Sequence, residues 1–143
     1  MNKKIISTIL ITSILTGCNT HSIEDQPEGK VVVDNKDYTM IGSDYSWKGN
    51  KIEVNTKSSP DINELADQFK TLEVKKGDTL RLEIERNPSS ITAIKLNEDG
   101  TSDNVEIKDN KITMPSDDGY YIYKLKTTWD KGKETFIFDV NIN

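Results

Sequence analysis

The sequence predicts an all-β protein, an antiparallel β-sandwich with one short helical insertion around residues 60–69. Three observations predict it. Leu80-Arg81-Leu82-Glu83-Ile84-Glu85 places an apolar residue at every second position with charged partners between, the period of a half-buried strand. Turn residues recur at short intervals, as Lys76-Gly77-Asp78, Glu98-Asp99-Gly100, Asp109-Asn110, Asp118-Gly119 and Asp130-Lys131-Gly132. Only one segment departs from the two-residue period, and frequent strands with a single helical break point to a sandwich rather than alternating βαβ units.

Taken in order, the chain opens with Lys3 and Lys4 ahead of an apolar stretch from Ile5 to Leu15, the pattern of a secretory signal peptide. It is shorter than the roughly 20 apolar residues that span a bilayer. Leu15-Thr16-Gly17-Cys18 closes this stretch with two small residues and the chain's one cysteine. These four residues resemble the lipobox of bacterial lipoproteins. The resemblance covers only about the first twenty residues and implies cleavage behind Gly17, with a diacylglycerol carried on Cys18. Two acyl chains anchor stably where one does not, at about 0.8 kcal/mol for each buried CH₂. Residues 1–17 are therefore expected to be the signal peptide, and the mature protein to sit lipid-anchored on the extracytoplasmic face of the cell membrane. Single-membrane and two-membrane cells fit equally.

Residues 18–30 comprise Cys18 and a polar stretch with Pro27 and Gly29 and no apolar periodicity, expected to be a flexible tether. Residues 31–143 are expected to form the sandwich. Candidate strands are Val31 to Val33, Tyr38 to Ile41, Lys51 to Asn55, Leu72 to Val74, Leu80 to Glu85, Ile91 to Leu96, Val105 to Ile107, Lys111 to Met114, Tyr120 to Thr128 and Thr135 to Ile142. Between the third and fourth, Ile62, Leu65 and Phe69 fall on one helical face, and Asp61 with Glu64 makes a capping box. Along the last two strands, Tyr121, Tyr123, Leu125 and Trp129 share one face, as do Phe136, Phe138, Val140 and Ile142; these are the expected inner faces of a closing hairpin.

Asp117-Asp118-Gly119-Tyr120-Tyr121-Ile122-Tyr123 resembles the Asp-x-Gly-x-Tyr-x-Cys signature that opens strand F of immunoglobulin domains. The resemblance implies an immunoglobulin-like sandwich over residues 72–142, with Tyr121 as the tyrosine whose hydroxyl bonds to backbone a few residues upstream. Tyr123 stands where such domains place a cysteine, and Ile91-Thr92-Ala93-Ile94 lacks their strand C tryptophan. No activity travels with this architecture.

The formal net charge of −5 disfavours nucleic acid as a partner and leaves membrane attachment to the lipid on Cys18. With one cysteine the chain forms no internal disulfide. Its one histidine, His21, lies three residues from the lipidation site, where no scaffold orients a base or a metal ligand. Nucleophilic and zinc chemistry lack their usual residues, so no catalytic residue, metal or cofactor is expected, and the chain is read as a non-enzyme. A carboxylate-based hydrolase remains as a remote alternative, since glycosidases work with paired carboxyls. The acidic turns at Glu98, Asp99, Asp103, Asp117 and Asp118, with Asp78, are read as solvated turns, and calcium binding there stays open.

The expected function is a membrane-anchored binding or interaction module of unknown partner. The alternative is carbohydrate or cell-wall glycan binding through Trp47 and Trp129. Trp47 lies in the polar segment Gly42-Ser43-Asp44-Tyr45-Ser46-Trp47-Lys48-Gly49, read as a loop, and Trp129 at the tip of the last hairpin. Tyr120, pointing outward with Ile122 and Lys124, is a further candidate contact.

Overall fold

A computed structural model describes residues 26–48, 53–56 and 61–143. The expected signal peptide (residues 1–17), Cys18 and His21 lie outside the described residues. The strands are β1 (Gly29–Val33), β2 (Lys36–Thr39), β3 (Ile41–Lys48), β4 (Glu53–Thr56), β5 (Leu72–Val74), β6 (Thr79–Ile84), β7 (Ser90–Leu96), β8 (Ser102–Val105), β9 (Lys111–Thr113), β10 (Gly119–Trp129) and β11 (Gly132–Ile142), with α1 (Ile62–Ala66) after β4.

They form two sheets, β2-β1-β6-β9 and β4-β3-β11-β10-β7-β8, with β5 attached to β11. Strands A, B and E of an immunoglobulin-like sandwich correspond to β1, β6 and β9, and strands G, F and C to β11, β10 and β7. β3 runs antiparallel along the first part of the outer edge of β11, and β5 runs parallel along its last residues. The two sheets meet over the faces the alternation selects: Val31, Leu80, Leu82 and Ile112 on one side, Tyr123, Leu125, Phe136, Phe138, Val140 and Ile142 on the other. At the centre, the rings of Tyr123 and Phe138 stack with centroids 5.0 Å apart, a favourable aromatic separation.

Two-residue turns at Asp34-Asn35 and Asp109-Asn110 place both residues at positive φ, which Asp and Asn tolerate and which matches the twist of the flanking strands. Tyr121 forms the corner its resemblance implies: its hydroxyl donates to the Asp117 carbonyl at 3.0 Å. The Lys95 ammonium sits 4.9 Å from the centre of the same ring.

The structure departs from the sequence reading in four places. β1 begins at Gly29 and Pro27 is buried, so the end of the expected tether belongs to the fold. The supposed loop 42–48 is strand β3, with Ser43, Tyr45 and Trp47 all buried, the two aromatics in the core; a serine at the first of these positions masks the alternation. The helix is shorter than expected. Asp61 caps it by accepting the Asn63 N–H at 2.9 Å, but it ends at Ala66, because Phe69 turns away from Leu65 into the main core against Phe138. Finally, β8 spans 102–105 rather than 105–107, paired to β7 through Ala93↔Val105 and Leu96↔Ser102.

Removing the Tyr121 hydroxyl leaves the Asp117 carbonyl without this partner, so Tyr121→Phe is expected to lower unfolding free energy by about 1 kcal/mol in urea denaturation, with an unchanged slope.

Candidate functional site

The tryptophans singled out by the sequence are brought together, but inside the sandwich. Trp47 is 6% exposed and Trp129 5%. Their rings meet edge to face at 5.6 Å and 63°. Tyr45 stacks beside Trp47, the Arg86 guanidinium lies 5.5 Å from the Trp47 ring, and Trp129 Nε1 donates to the Glu85 carbonyl at 2.9 Å. This cluster plugs one end of the core and presents no coplanar faces to a sugar. Tyr120 is also not the open contact expected: it is half-buried, its hydroxyl donates to Asp139 Oδ2, and neighbouring Ile122 is buried with Leu65 and Ala66 of α1. Burial and the adjacent Asp139 both raise the Tyr120 pKa, while Asp139 is raised by burial against the opposing pull of its hydrogen bonds.

At one end of the sandwich, Glu98, Asp99, Asp103, Asp117 and Asp118 border a cleft of about 490 Å³ with Lys95. Several of these carboxylates are engaged locally. Asp99 accepts from the Thr101 N–H and hydroxyl, which lower its pKa; Asp103 accepts from Asn97 and pairs with Lys95 at 3.7 Å. Asp78 instead closes its own turn by accepting the Lys75 N–H. Among the described residues no group of three or more His, Cys, Asp or Glu is arranged to hold a metal ion. Glu83 is likewise a solvated strand residue, paired with Arg81 at 2.9 Å.

A second concavity, of about 730 Å³, lies on the outer face of the larger sheet and was not marked by any sequence motif. Strand register generates it. Ser46, Lys133, Thr128 and Ser90 form one row across β3, β11, β10 and β7. Thr135, Lys126 and Thr92 form the next, with Asp44 at the rim beside the bulge between Glu134 and Phe136. One row further along, the face turns apolar at Ile41 and Ile137, where α1 covers it with Leu65 and Ala66. The outer face is therefore half covered and half an open trough of hydroxyls and lysines.

Beneath the trough, Glu134 faces inward in register with Thr127. It is 3% exposed; its Oε2 accepts from Gln26 Nε2 at 2.7 Å, while its Oε1 and the Thr127 hydroxyl have no hydrogen-bond partner among the described residues. Burial pushes its pKa up from an ordinary 4.5 to about 7, against the lowering effect of Gln26. Gly42 makes room for it, since a Cβ there would overlap Oε2.

No protein-family model and no curated protein matches this chain. Among solved structures it is similar to the catalytic domain of the LPMO Lmo2467 from Listeria monocytogenes, with 16% identity, a TM-score of 0.46, and coverage of 69% of this chain and 80% of that one. It is also similar to the Bacillus amyloliquefaciens CBM33 in complex with Cu(I) after photoreduction, at 15% identity, TM-score 0.44, 69% of this chain and 78% of that one. Likeness at this level concerns the sandwich alone. One of these structures is a catalytic domain, against the expectation of a non-enzyme, and a lack of nucleophile and zinc ligands does not by itself support that expectation. Copper(I) favours thiolate, thioether and imidazole donors. The described residues contain no His or Cys, and Met40 and Met114 are buried in the core, so the described residues do not fit that ion.

The raised pKa of Glu134 has a stability consequence with a definite sign. The fold prefers the neutral carboxyl, so its contribution is fully present below about pH 4.5 and is lost as pH rises through about 7. Glu134→Gln is expected to remove a decline of at most about 1.4 kcal/mol per pH unit across that window, read as the difference between wild-type and variant denaturation curves.

Proposed function

We propose that the chain is a lipoprotein held through Cys18 on the extracytoplasmic face of the cell membrane, and that its immunoglobulin-like sandwich binds a glycan in the outer trough of the larger sheet. The observation that carries the binding reading is the bare, hydroxyl-lined concavity formed by Ser46, Ser90, Thr92, Thr128 and Thr135 around Lys126 and Lys133. Serine and threonine hydroxyls both donate and accept hydrogen bonds, as sugar hydroxyls do, and threonine methyls offer small apolar contacts to the ring faces. A glycan is favoured over a protein partner because protein interfaces are commonly anchored by buried aromatic or arginine side chains. The sequence's aromatic candidates, Trp47 and Trp129, are committed to the core instead. The glycan reading thus moves from the tryptophans to the trough. Anchoring rests on the first twenty residues alone: Lys3 and Lys4, the apolar stretch and Leu15-Thr16-Gly17-Cys18.

Two measurements check the two halves of the proposal. Cys18→Ala should move the protein from the membrane fraction to the soluble fraction of lysed cells and abolish metabolic labelling with a fatty acid; a variant that stays membrane-bound and labelled refutes lipidation there. Thr92→Val with Thr128→Val keeps β-branched side chains on the strands while removing two hydroxyls. At about 1 kcal/mol per hydrogen bond, glycan affinity should fall roughly 30-fold without loss of thermal stability. Undiminished glycan binding by the folded double variant would remove the trough from the binding site.

A further inference from the structure

We infer that the ligand of the outer trough is a hydroxyl-rich chain carrying repeated anionic groups, phosphate or carboxylate, bridged by Lys126 and Lys133. This rests on the glycan reading and specifies its chemistry.

The chain is net negative, at −5, yet the open half of this sheet face gathers Lys126 and Lys133. Among the described residues neither makes an ion pair, whereas Lys95 pairs with Asp103 and Arg81 with Glu83. The register pairs Lys126 with Thr135 and Thr128 with Lys133, which makes Lys126 and Lys133 diagonal neighbours on adjacent strands. Such positions lie about 7–8 Å apart. Both side chains are exposed and long enough for their ammonium groups to reach one anion lying between them. The carboxylates lining the trough are Asp44, at its rim, and Glu134, whose side chain is buried toward the interior.

Shape and chemistry both favour a chain over a single small anion. The lysines occupy separate rows, each flanked by hydroxyls on the neighbouring strands, Ser46 and Thr128 beside Lys133, Thr135 and Thr92 beside Lys126. A polymer lying across the strands would meet hydroxyl, ammonium and hydroxyl in succession. The concavity also favours a polymer over a lipid headgroup layer, which presents a broad, flat surface.

The test uses the detergent-solubilised full chain on surfaces of poly(glycerol phosphate), polygalacturonate and neutral dextran, with phosphatidylglycerol vesicles as a fourth arm. At least one anionic polymer should bind ten-fold or more tightly than dextran, and raising salt from 50 to 500 mM should weaken that binding at least ten-fold. The preferred polymer identifies phosphate or carboxylate as the anion. Lys126→Gln with Lys133→Gln should lose at least ten-fold in affinity at unchanged melting temperature, while Lys76→Gln, on a turn outside the trough, should lose nothing. Dextran bound as tightly as both anionic polymers overturns the anion inference and leaves the glycan reading standing. Binding to none of the three polymers overturns both readings. Vesicle binding that exceeds polymer binding and depends on the two lysines assigns the patch to a lipid surface and overturns the inference.

Discussion

The β10–β11 hairpin is the constraint on which the rest of the structure depends. Its two strands of 11 residues pair without interruption from Gly119↔Ile142 to Trp129↔Gly132 and supply most of the aromatic surface of the core. Neighbouring strands of the larger sheet dock on it: β7 on β10, β3 and β5 in succession along β11. The hairpin's turn end is equally constrained. A Cβ at Gly132 would overlap the Ser46 carbonyl oxygen and lie 2.5 Å from Trp47 Cε3, so only a glycine lets the turn press so closely on β3. With a single cysteine in the sequence, the sheets are joined by packing rather than by a disulfide, and Tyr123 stacked on Phe138 fills the position where a bridge would stand.

The same hairpin sets the character of both faces of its sheet. Inward, alternation gives a dry aromatic layer that runs into an acid at Glu134, where the ladder to β3 shifts between Glu134 and Phe136. A bulge commonly re-aims side chains locally. Here it accompanies the close approach of Gly42 and the tie from Gln26, which brings the start of the described chain against the sheet. Outward, Ile122 and Ile137 need a cover, and α1 provides it with Leu65 and Ala66. A helix this short covers only part of the face, and the strands beyond its reach carry threonine, serine and lysine.

Much of the architecture was legible because burial leaves a period of two in the sequence. Leu80 to Ile84 and the paired faces of the last two strands read correctly, and Gly119-Tyr120-Tyr121 located the tyrosine corner. What failed did so for physical reasons. Ser43 is a buried polar residue just ahead of Tyr45 and Trp47, so β3 looked like a loop and the exposure of Trp47 stayed open. The helix overran because Phe69 keeps helical spacing with Leu65 while packing in a different cluster. The trough was illegible for another reason. Its residues come from four strands, and their outward positions each look like ordinary solvated surface until the register sets them side by side.

Composition alone does not distinguish a binding face from a face that merely keeps a sheet soluble. Threonine favours strands, and lysine on an exposed strand discourages association with other sheets, so both suit bare β-surface without any ligand. The distinction lies in pairing. A surface built only for stability gains from opposite charges directly across from each other. Lys126 instead faces Thr135 and Thr92, and Lys133 faces Thr128 and Ser46, so each residue directly opposite either lysine carries a hydroxyl. In an acidic chain this arrangement sets two lysines and one aspartate, Asp44, among hydroxyls in a concavity. Protection against sheet association explains the lysines one by one, but their placement together in a concavity beside hydroxyls is what a ligand would use.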